Sequence, residues 1–579
     1  VDVGDLNAIV LHNMPPSTAN YMQRAGRAGR RTESPAVVVT FAQRRSHDLT
    51  FYAEPERMIA GKIRPPVVPL KNDKIIRRHL HSVAFAAFLR WVKETRGIEY
   101  HNCGDFFAPK DPAQNGPALL QVFLQSHPPE LEQALDRILP PDLELRQRLK
   151  LENWGWLPFL TGSSDAVLDK AAEDITNELQ EFEKLESDAA AERRYRDAEQ
   201  AKEVQNTIRG RDLLGYLGSK NVLPKYGFPT DVVMLKTDHL HVPGADSIEL
   251  DRDLKIAISE FAPGGQVVAA GKIWYSRGLR RLSRRSWVPY GYAVCTQCNR
   301  MTIEPGNRTP LRCACGNNLQ SAKHKGVYIV PEHGFLAASQ TDTPGEQSPE
   351  RIYASRVYLA DYRAAHDQPF DPQNLQPDPK ITGQVHVFKG YTRYAYLVLV
   401  NDGYSGRGFR ICSVCGYADA IDSLVRYRRE HNNPLTQQKC TGMLETYDLG
   451  HHFMSDVLQL RFEMPLRDES ATYSLLYAIL NGASDALEIP REDIGGLVFY
   501  PDGRPSLVLY DTTPGGSGHV EMIYHHLSKA LEGAYKRVEN CDCGRNTSCY
   551  SCLRGYDNQL FHDRLVRGTA ADLLEKIIR

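Results

Sequence analysis

The sequence lacks any apolar run near the ~18 residues that a membrane helix needs, and its first residues show no basic stretch leading into an apolar one. No membrane contact is therefore expected, and the expected location is cytoplasmic. It also lacks a charge excess, since 70 Lys+Arg stand against 71 Asp+Glu for a net charge of −1. Bulk charge thus neither supports nor excludes a nucleic-acid partner, and any attraction to phosphates must come from local basic patches. Hydrophobic content of 42%, charged content of 24% and aromatic content of 9% exclude a disordered or collagen-like chain. No internal repeat is evident beyond recurring cysteine pairs. With 579 residues the chain exceeds one domain, and a prior of about 150 residues each predicts roughly four.

What is present is cysteine in clusters: of the 12 cysteines, only Cys103 stands alone. Cys295-x-x-Cys298 and Cys313-x-Cys315 form two knuckle-like pairs able to converge on one tetrahedral zinc ion. The competing reading, paired disulfides, is disfavoured by a reducing cytosol. Cys541-x-Cys543 with Cys549-x-x-Cys552 is a second four-thiolate set, for which an iron–sulfur cluster is the rival of zinc. Cys412-x-x-Cys415 with Cys440 lacks a fourth ligand; His431 is the candidate, with His451 and His452 as alternatives. Closed four-ligand sites leave no open position for activating water, so up to three zinc ions are expected to be structural. A metal-dependent nuclease is the weaker reading, because His101, Asp105 and the His451-His452 pair do not form an open His/carboxylate set.

The apolar run Ala8–Leu11 follows the start directly, so the sequence is expected to open inside a domain. A polar turn at Pro15–Thr18 precedes a helix through Tyr21 to Ala28, and Ala36–Phe41 reads as a strand. This alternation predicts the tail of a parallel α/β domain over 1–70. A mostly helical accessory region is expected over 71–230, where Leu168, Ala172, Ile175, Leu179 and Phe182 paint one helix face, either as a long surface helix or as an antiparallel pair. A β-rich module with the first cysteine quartet follows over 231–338, and Pro-containing loops at Ser339–Glu350 and Asp367–Lys380 bracket the start of an α+β domain with the other two clusters over 351–579. In the last part, strands are predicted at Leu497–Tyr500 and Leu507–Tyr510 and a helix at His519–Val538.

Gln23-Arg24-Ala25-Gly26-Arg27-Ala28-Gly29-Arg30-Arg31 places arginines three apart where a helix is expected to start, able to clamp phosphate oxygens in forked geometry. The stretch from Lys272 to Tyr290 interleaves Lys272, Arg277, Arg280, Arg281, Arg284 and Arg285 with Trp274, Tyr275, Trp287 and Tyr290. Cations can neutralise phosphates while rings stack on unpaired bases, which makes this stretch the candidate DNA path; the competing reading is a solvated basic surface whose aromatics belong to the core.

Gln23 to Arg30 resembles motif VI (Gln-x-x-Gly-Arg-x-x-Arg) of superfamily 2 helicases, and Asp2-Val3-Gly4-Asp5-Leu6 resembles the end of their motif V. The resemblance implies a partial second RecA-like helicase domain. There Arg27 and Arg30 would face the γ-phosphate of ATP, Gln23 would contact the nucleotide or the motif network, Gly26 would sit at the nucleotide, and Gly4 and Asp5 would couple ATP to the nucleic-acid backbone. His47-Asp48, Gly61, Pro65-Pro66, Asn72, the Leu223–Pro229 run, Ser259–Gly264 and Asp511–Gly518 resemble the MrfA/YprA-like helicases. These carry a C-terminal zinc-binding (MZB) domain and have relatives in the DISARM and Druantia phage-defence systems. The phosphate loop and acidic Mg²⁺ motif of a helicase do not occur; Gly515-Gly516-Ser517-Gly518 lacks the lysine and reads as a tight structural turn. The implied protein is therefore the C-terminal part of an ATP-dependent DNA helicase in phage defence or repair, inactive as an ATPase by itself. ATP and Mg²⁺ would be held with the first RecA-like domain in cis, DNA (single-stranded or a duplex junction) would be the substrate, and other defence subunits would be possible partners. The alternative is a non-enzymatic zinc-ribbon adaptor for nucleic acid or a partner subunit.

Overall fold

The computed structural model describes residues 6–29, 36–44, 46–61, 73–139, 143–163, 166–224, 232–240, 242–245, 248–282, 286–345, 355–362, 371–372, 374–421, 430–466, 468–555 and 558–579. Near the amino end, β1 (Ala8–Leu11) pairs in parallel with β2 (Val37–Thr40), with α1 (Thr18–Ala25) between them. Ser17 caps α1 by accepting from the Asn20 amide at 3.3 Å. α2 (Ser46–Ala53) and α3 (Glu56–Ile59) close this unit over a small core of Leu11, Met14, Tyr21 and Met58. Asp48 holds it together by accepting from the Met14 and Gln43 amides at 3.1 and 3.0 Å.

The helical region runs through α4 (Asp73–Arg96), α5 (Cys103–Phe107), α6 (Gly116–Gln125), α7 (Pro129–Ile138), α8 (Leu143–Arg148), α9 (Leu157–Leu160), α10 (Val167–Ala191), α11 (Tyr195–Arg209) and α12 (Leu213–Ser219). Of the two forms open to 165–209, the antiparallel pair is found: the chain reverses at Arg193, whose φ is +60°, and Gln205 on α11 reaches the Phe182 carbonyl on α10 at 3.2 Å. The face buried on α10 carries Leu168, Ile175, Leu179 and Phe182, with Ala171 in place of the expected Ala172.

Two sheets follow. The smaller has the order β4 (Asp251–Asp253), β3 (Val232–Lys236), β10 (Phe335–Asp342), β6 (Lys272–Leu279), β5 (Gln266–Ala269), with α13 (Leu254–Glu260) beside it. The larger joins β11 (Arg356–Tyr362), β13 (Val387–Asn401), β18 (Leu444–Phe462), β9 (Lys325–Ile329), β7 (Pro289–Val294) and β8 (Met301–Pro305) in that order. β12 (Gln376–Pro377) adds to β13, β14 (Phe409–Cys412) to β18 and β15 (Ala418–Ala420) to β14. β20 (Ser506–Asp511) also adds to β18 and carries β19 (Ile494–Phe499), while β16 (His431–Asn432) and β17 (Lys439–Cys440) form a separate ribbon.

The sheets correct one expected boundary. The segments 231–338 and 351–579 are not separate bodies, because β10 crosses residue 338 and β7–β9 share the sheet of β18. Strand pairing between distant segments leaves no local trace in composition. β18 is the spine: its first half pairs with β14 and β9, its second half with β20, and β13 runs antiparallel along most of its length.

Against that sheet, α14 (Glu469–Leu487), α15 (His519–His525), α16 (Leu527–Glu539) and α17 (Arg567–Ile578) enclose a core containing Leu475, Leu476, Leu480, Leu531 and Leu574. α14 crosses α16 closely because Gly482 has no side chain; a Cβ there would meet the Ala534 backbone. The single helix expected over His519–Val538 is broken at His526 into α15 and α16.

Candidate metal centres and nucleic-acid interface

Three tetrads come together: Cys295, Cys298, Cys313 and Cys315; Cys412, Cys415, His431 and Cys440; Cys541, Cys543, Cys549 and Cys552. Within each, the ligand atoms all lie within 4.8 Å of one another. Sulfur separations of 3.5 and 3.6 Å in the first, 3.9 Å in the second and 3.5 to 3.9 Å in the third match the ~3.8 Å edge of a tetrahedron with 2.3 Å Zn–S bonds. They are far from the ~2.05 Å of a disulfide, and the twelve thiols are free. Four sulfurs on one tetrahedron suit a single ion rather than a cluster that divides its thiolates between irons. The residues present therefore fit structural zinc at all three sites.

Local geometry explains each tetrad. In the second, His431 lies directly opposite Cys440 in the β16–β17 ribbon, so two ligands start side by side. The His431 ring is buried and stacked on Tyr417 at 4.8 Å, and neither nitrogen meets a hydrogen-bond partner. A buried imidazole with no hydrogen-bond partner fits a metal ligand. The alternatives are elsewhere: His451 and His452 are held in β18, where the Tyr328 hydroxyl stands 3.2 Å from His452 Nδ1. Backbone amides of Val414 and Cys415 donate to Cys412 Sγ at 3.4 and 3.5 Å, and those of Cys549 and Ser551 reach Cys552 and Cys549. Such amides offset thiolate charge. The Cys412 thiol is pushed down to about 4 by its hydrogen bond with Cys415, whose own thiol is driven up.

The tetrads also tie distant segments. Asn299 of the first knuckle donates to the Val498 carbonyl at 2.8 Å, fastening it to β19. The Leu279 amide donates to Gly416 at 2.8 Å, fastening the second to β6. Asn481 on α14 and Arg537 on α16 both donate to the Cys552 carbonyl, at 2.9 and 3.0 Å.

The motif at the amino end is placed differently from expectation. Gln23 belongs to the last turn of α1, and Gly26 and Arg27 lie in the turn beyond it, not at a helix start. Gly29, with φ of +67°, ends the helical path two residues beyond Arg27. Gln23, Gly26 and Arg27 are exposed. Gly4, Asp5 and Arg30 lie outside the described residues, as do Arg284 and Arg285.

The basic–aromatic strip is corrected more sharply. β6 alternates, turning Trp274 and Ser276 inward, and Trp274 is completely buried with its indole N–H donating to Ala269 at 3.1 Å. A ring without exposed surface has no face to offer a base. Trp287 and Tyr290 are buried as well. On the outward side Arg277 pairs with Asp419 at 2.8 Å, Arg281 pairs with Glu203, and Lys272 donates to the Pro243 carbonyl at 2.8 Å. Arg280 remains exposed. Most of the strip is thus structural adhesive.

The glycine turn after β20 behaves as expected. Asp511 is fully buried and accepts from the amides of Ser517, Gly518, His519 and Val520 at 2.7 to 3.2 Å, while Gly515, Gly516 and Gly518 hold positive φ. Sequence reading missed that Arg78 of α4 donates to the Gly515 and Gly516 carbonyls, locking the helical region onto this turn.

With four cysteines gathered between α16 and α17 and pinned to α14, the segment has a recognisable match. Residues 475–553 match the MrfA Zn-binding (MZB) domain. The MZB segment thus contains the whole third tetrad and the turn held by Asp511. The full chain is similar to the Druantia protein DruE of Escherichia coli (strain UMEA 4076-1), at 28% identity over 99% of this chain and 33% of that protein. Among solved structures, the DUF1998 helicase MrfA bound to DNA aligns at 13% identity and a TM-score of 0.38, over 100% of this chain and 52% of that one. The same helicase bound to DNA and AMPPNP aligns at 11% identity and a TM-score of 0.34, over 99% of this chain and 50% of that one. The chain therefore spans about a third of the length of DruE and about half of each MrfA chain. Among the described residues, no helix is long and apolar enough to cross a membrane.

Proposed function

We propose that this chain is the C-terminal part of an ATP-dependent DNA helicase or translocase whose motif VI arginines, Arg27 and Arg30, complete an ATP site formed with a RecA-like domain in cis. The observation that carries the reading is the uncovered β1–β2 sheet. Val10, Val37, Val39 and Phe41 alternate onto one face and are 72%, 55%, 51% and 57% exposed. Parallel strands are ordinarily buried on both faces, so this apolar face requires further sheet and helices. Arg27 lies exposed in the turn after α1 of the same unit. ATP and Mg²⁺ would bind between the lobes, the arginines stabilising charge on the transferred phosphoryl group. The three zinc ions would hold the body rigid. Similarity to a Druantia protein favours phage defence over repair as the setting.

The test is ATP hydrolysis by the protein extended upstream of Val1, with and without single-stranded DNA. DNA-stimulated hydrolysis that is absent from the 579-residue chain is the expected result. No hydrolysis by the extended protein would leave the adaptor reading.

A further inference from the structure

A cavity of about 480 Å³ opens between the start of α11 and the turn joining β16 to β17, against the second tetrad. Its polar walls are Arg196, Asn433, Thr436, Gln438, Lys439 and Thr441, and no carboxylate lines it among the described residues. Val414 and Met443 add apolar surface, 57% and 60% exposed. Other clefts differ in charge. The one beside Trp154 carries Glu132, Asp136 and Glu152 against Arg146 alone, and the one beside Tyr100 carries Glu99, Asp105 and Asp111 against Lys110 and Arg209.

We propose that this cleft binds the sugar–phosphate backbone of single-stranded nucleic acid, with bases lying on Met443 and Val414; the proposal rests on the helicase reading and names where its strand runs. Arg196 donates to the Met443 thioether at 3.5 Å, a neutral acceptor that leaves the guanidinium charge in place. Lys439 faces Glu430 at 3.4 Å in an exposed pair that a phosphate can replace at little cost. Beside the cleft Arg281, paired with Glu203, donates to the Val414 carbonyl at 3.3 Å, and the exposed Arg280 precedes it. Amide and hydroxyl walls supply neutral donors to phosphate oxygens, and the sulfur and methyl groups supply sequence-tolerant contact for bases.

The test measures binding of labelled oligothymidylate and oligouridylate of about 15 nucleotides to the zinc-loaded full chain by fluorescence anisotropy across a salt series. The Arg196→Glu/Lys439→Glu variant is compared with Lys529→Glu/Lys576→Glu, which makes the same charge change on exposed positions of α16 and α17. The cleft variant is expected to lose about tenfold or more in affinity. Its slope of log K against log salt should be shallower by about 1.4, two phosphate contacts at ~0.7 each. Zinc content and melting temperature should be unchanged. Loss of affinity for either oligomer supports the proposal, and the stronger ligand identifies the sugar. Unchanged affinity, or an equal loss in the α16–α17 variant, overturns it while leaving the helicase reading intact. A wild-type chain that binds neither oligomer would instead remove the nucleic-acid reading as a whole.

Discussion

Residues 6–61 and the MZB segment are both mixtures of helix and strand, yet they are finished to different degrees. The first rests on a cluster of four buried hydrophobic side chains, of which Met58 alone is almost completely covered, and leaves Val10, Val39, Phe41 and Tyr52 more than half exposed. The second buries Leu475, Leu476, Leu480, Leu531 and Val538 almost completely and closes its open end with a cysteine tetrad. The contrast separates an exposed apolar surface from one already closed. The same contrast holds for charge: Arg27 is exposed, whereas Arg537 and Arg567 are spent on carbonyls within the MZB core.

The comparison breaks most violently through the metal. Chelation, or Cys552→Ser at a fully buried ligand, should abolish cooperative melting of the C-terminal body, because structural zinc contributes ~10–16 kcal/mol of apparent binding energy in small modules. Zinc analysis together with a calorimetric scan checks this, and retained cooperative melting after loss of the third ion would refute it. Next in size is the core: Leu480→Ala should cost ~2–5 kcal/mol by urea denaturation.

A smaller effect is tied to pH. Burial raises the Asp448 carboxyl to about 7, with Asp402 adding repulsion, although the Tyr292 hydroxyl donates to it at 2.8 Å. A carboxyl raised above its unfolded value of about 3.9 contributes stability that is complete below that pH and is lost as pH rises through about 7. Asp448→Asn should therefore melt progressively higher relative to the wild type between about pH 4 and 7. Parallel melting curves for the two proteins over that window would contradict it. The smallest effect sharpens the comparison: Val39→Ser should change the stability of this chain by less than ~0.5 kcal/mol, but should cost more in the extended protein, where a second layer covers that face. Equal costs in both would mean that nothing covers it.

What could be read in advance was local. Cysteine pairs two residues apart announce a knuckle because the chain between them has little choice, and Asp511 to Gly518 announces a turn through its glycines. The strip from Lys272 to Tyr290 misled because its meaning depends on alternation along β6, which buries Trp274, and on acids far away in sequence, Asp419 and Glu203, that neutralise Arg277 and Arg281. The helix expected through Ala28 stopped at Ala25 because Gly26 and Gly29 release the chain into a turn. The segment boundary near residue 338 failed because β18 recruits strands from both sides of it.

The central claim is that Arg27 faces a nucleotide held by another lobe, and its most direct measurement is kcat for ATP hydrolysis by the upstream-extended protein at saturating single-stranded DNA. Arg27→Ala is predicted to lower kcat by ~10³–10⁵ with an unchanged melting temperature. A variant that hydrolyses ATP at the wild-type rate would contradict the account.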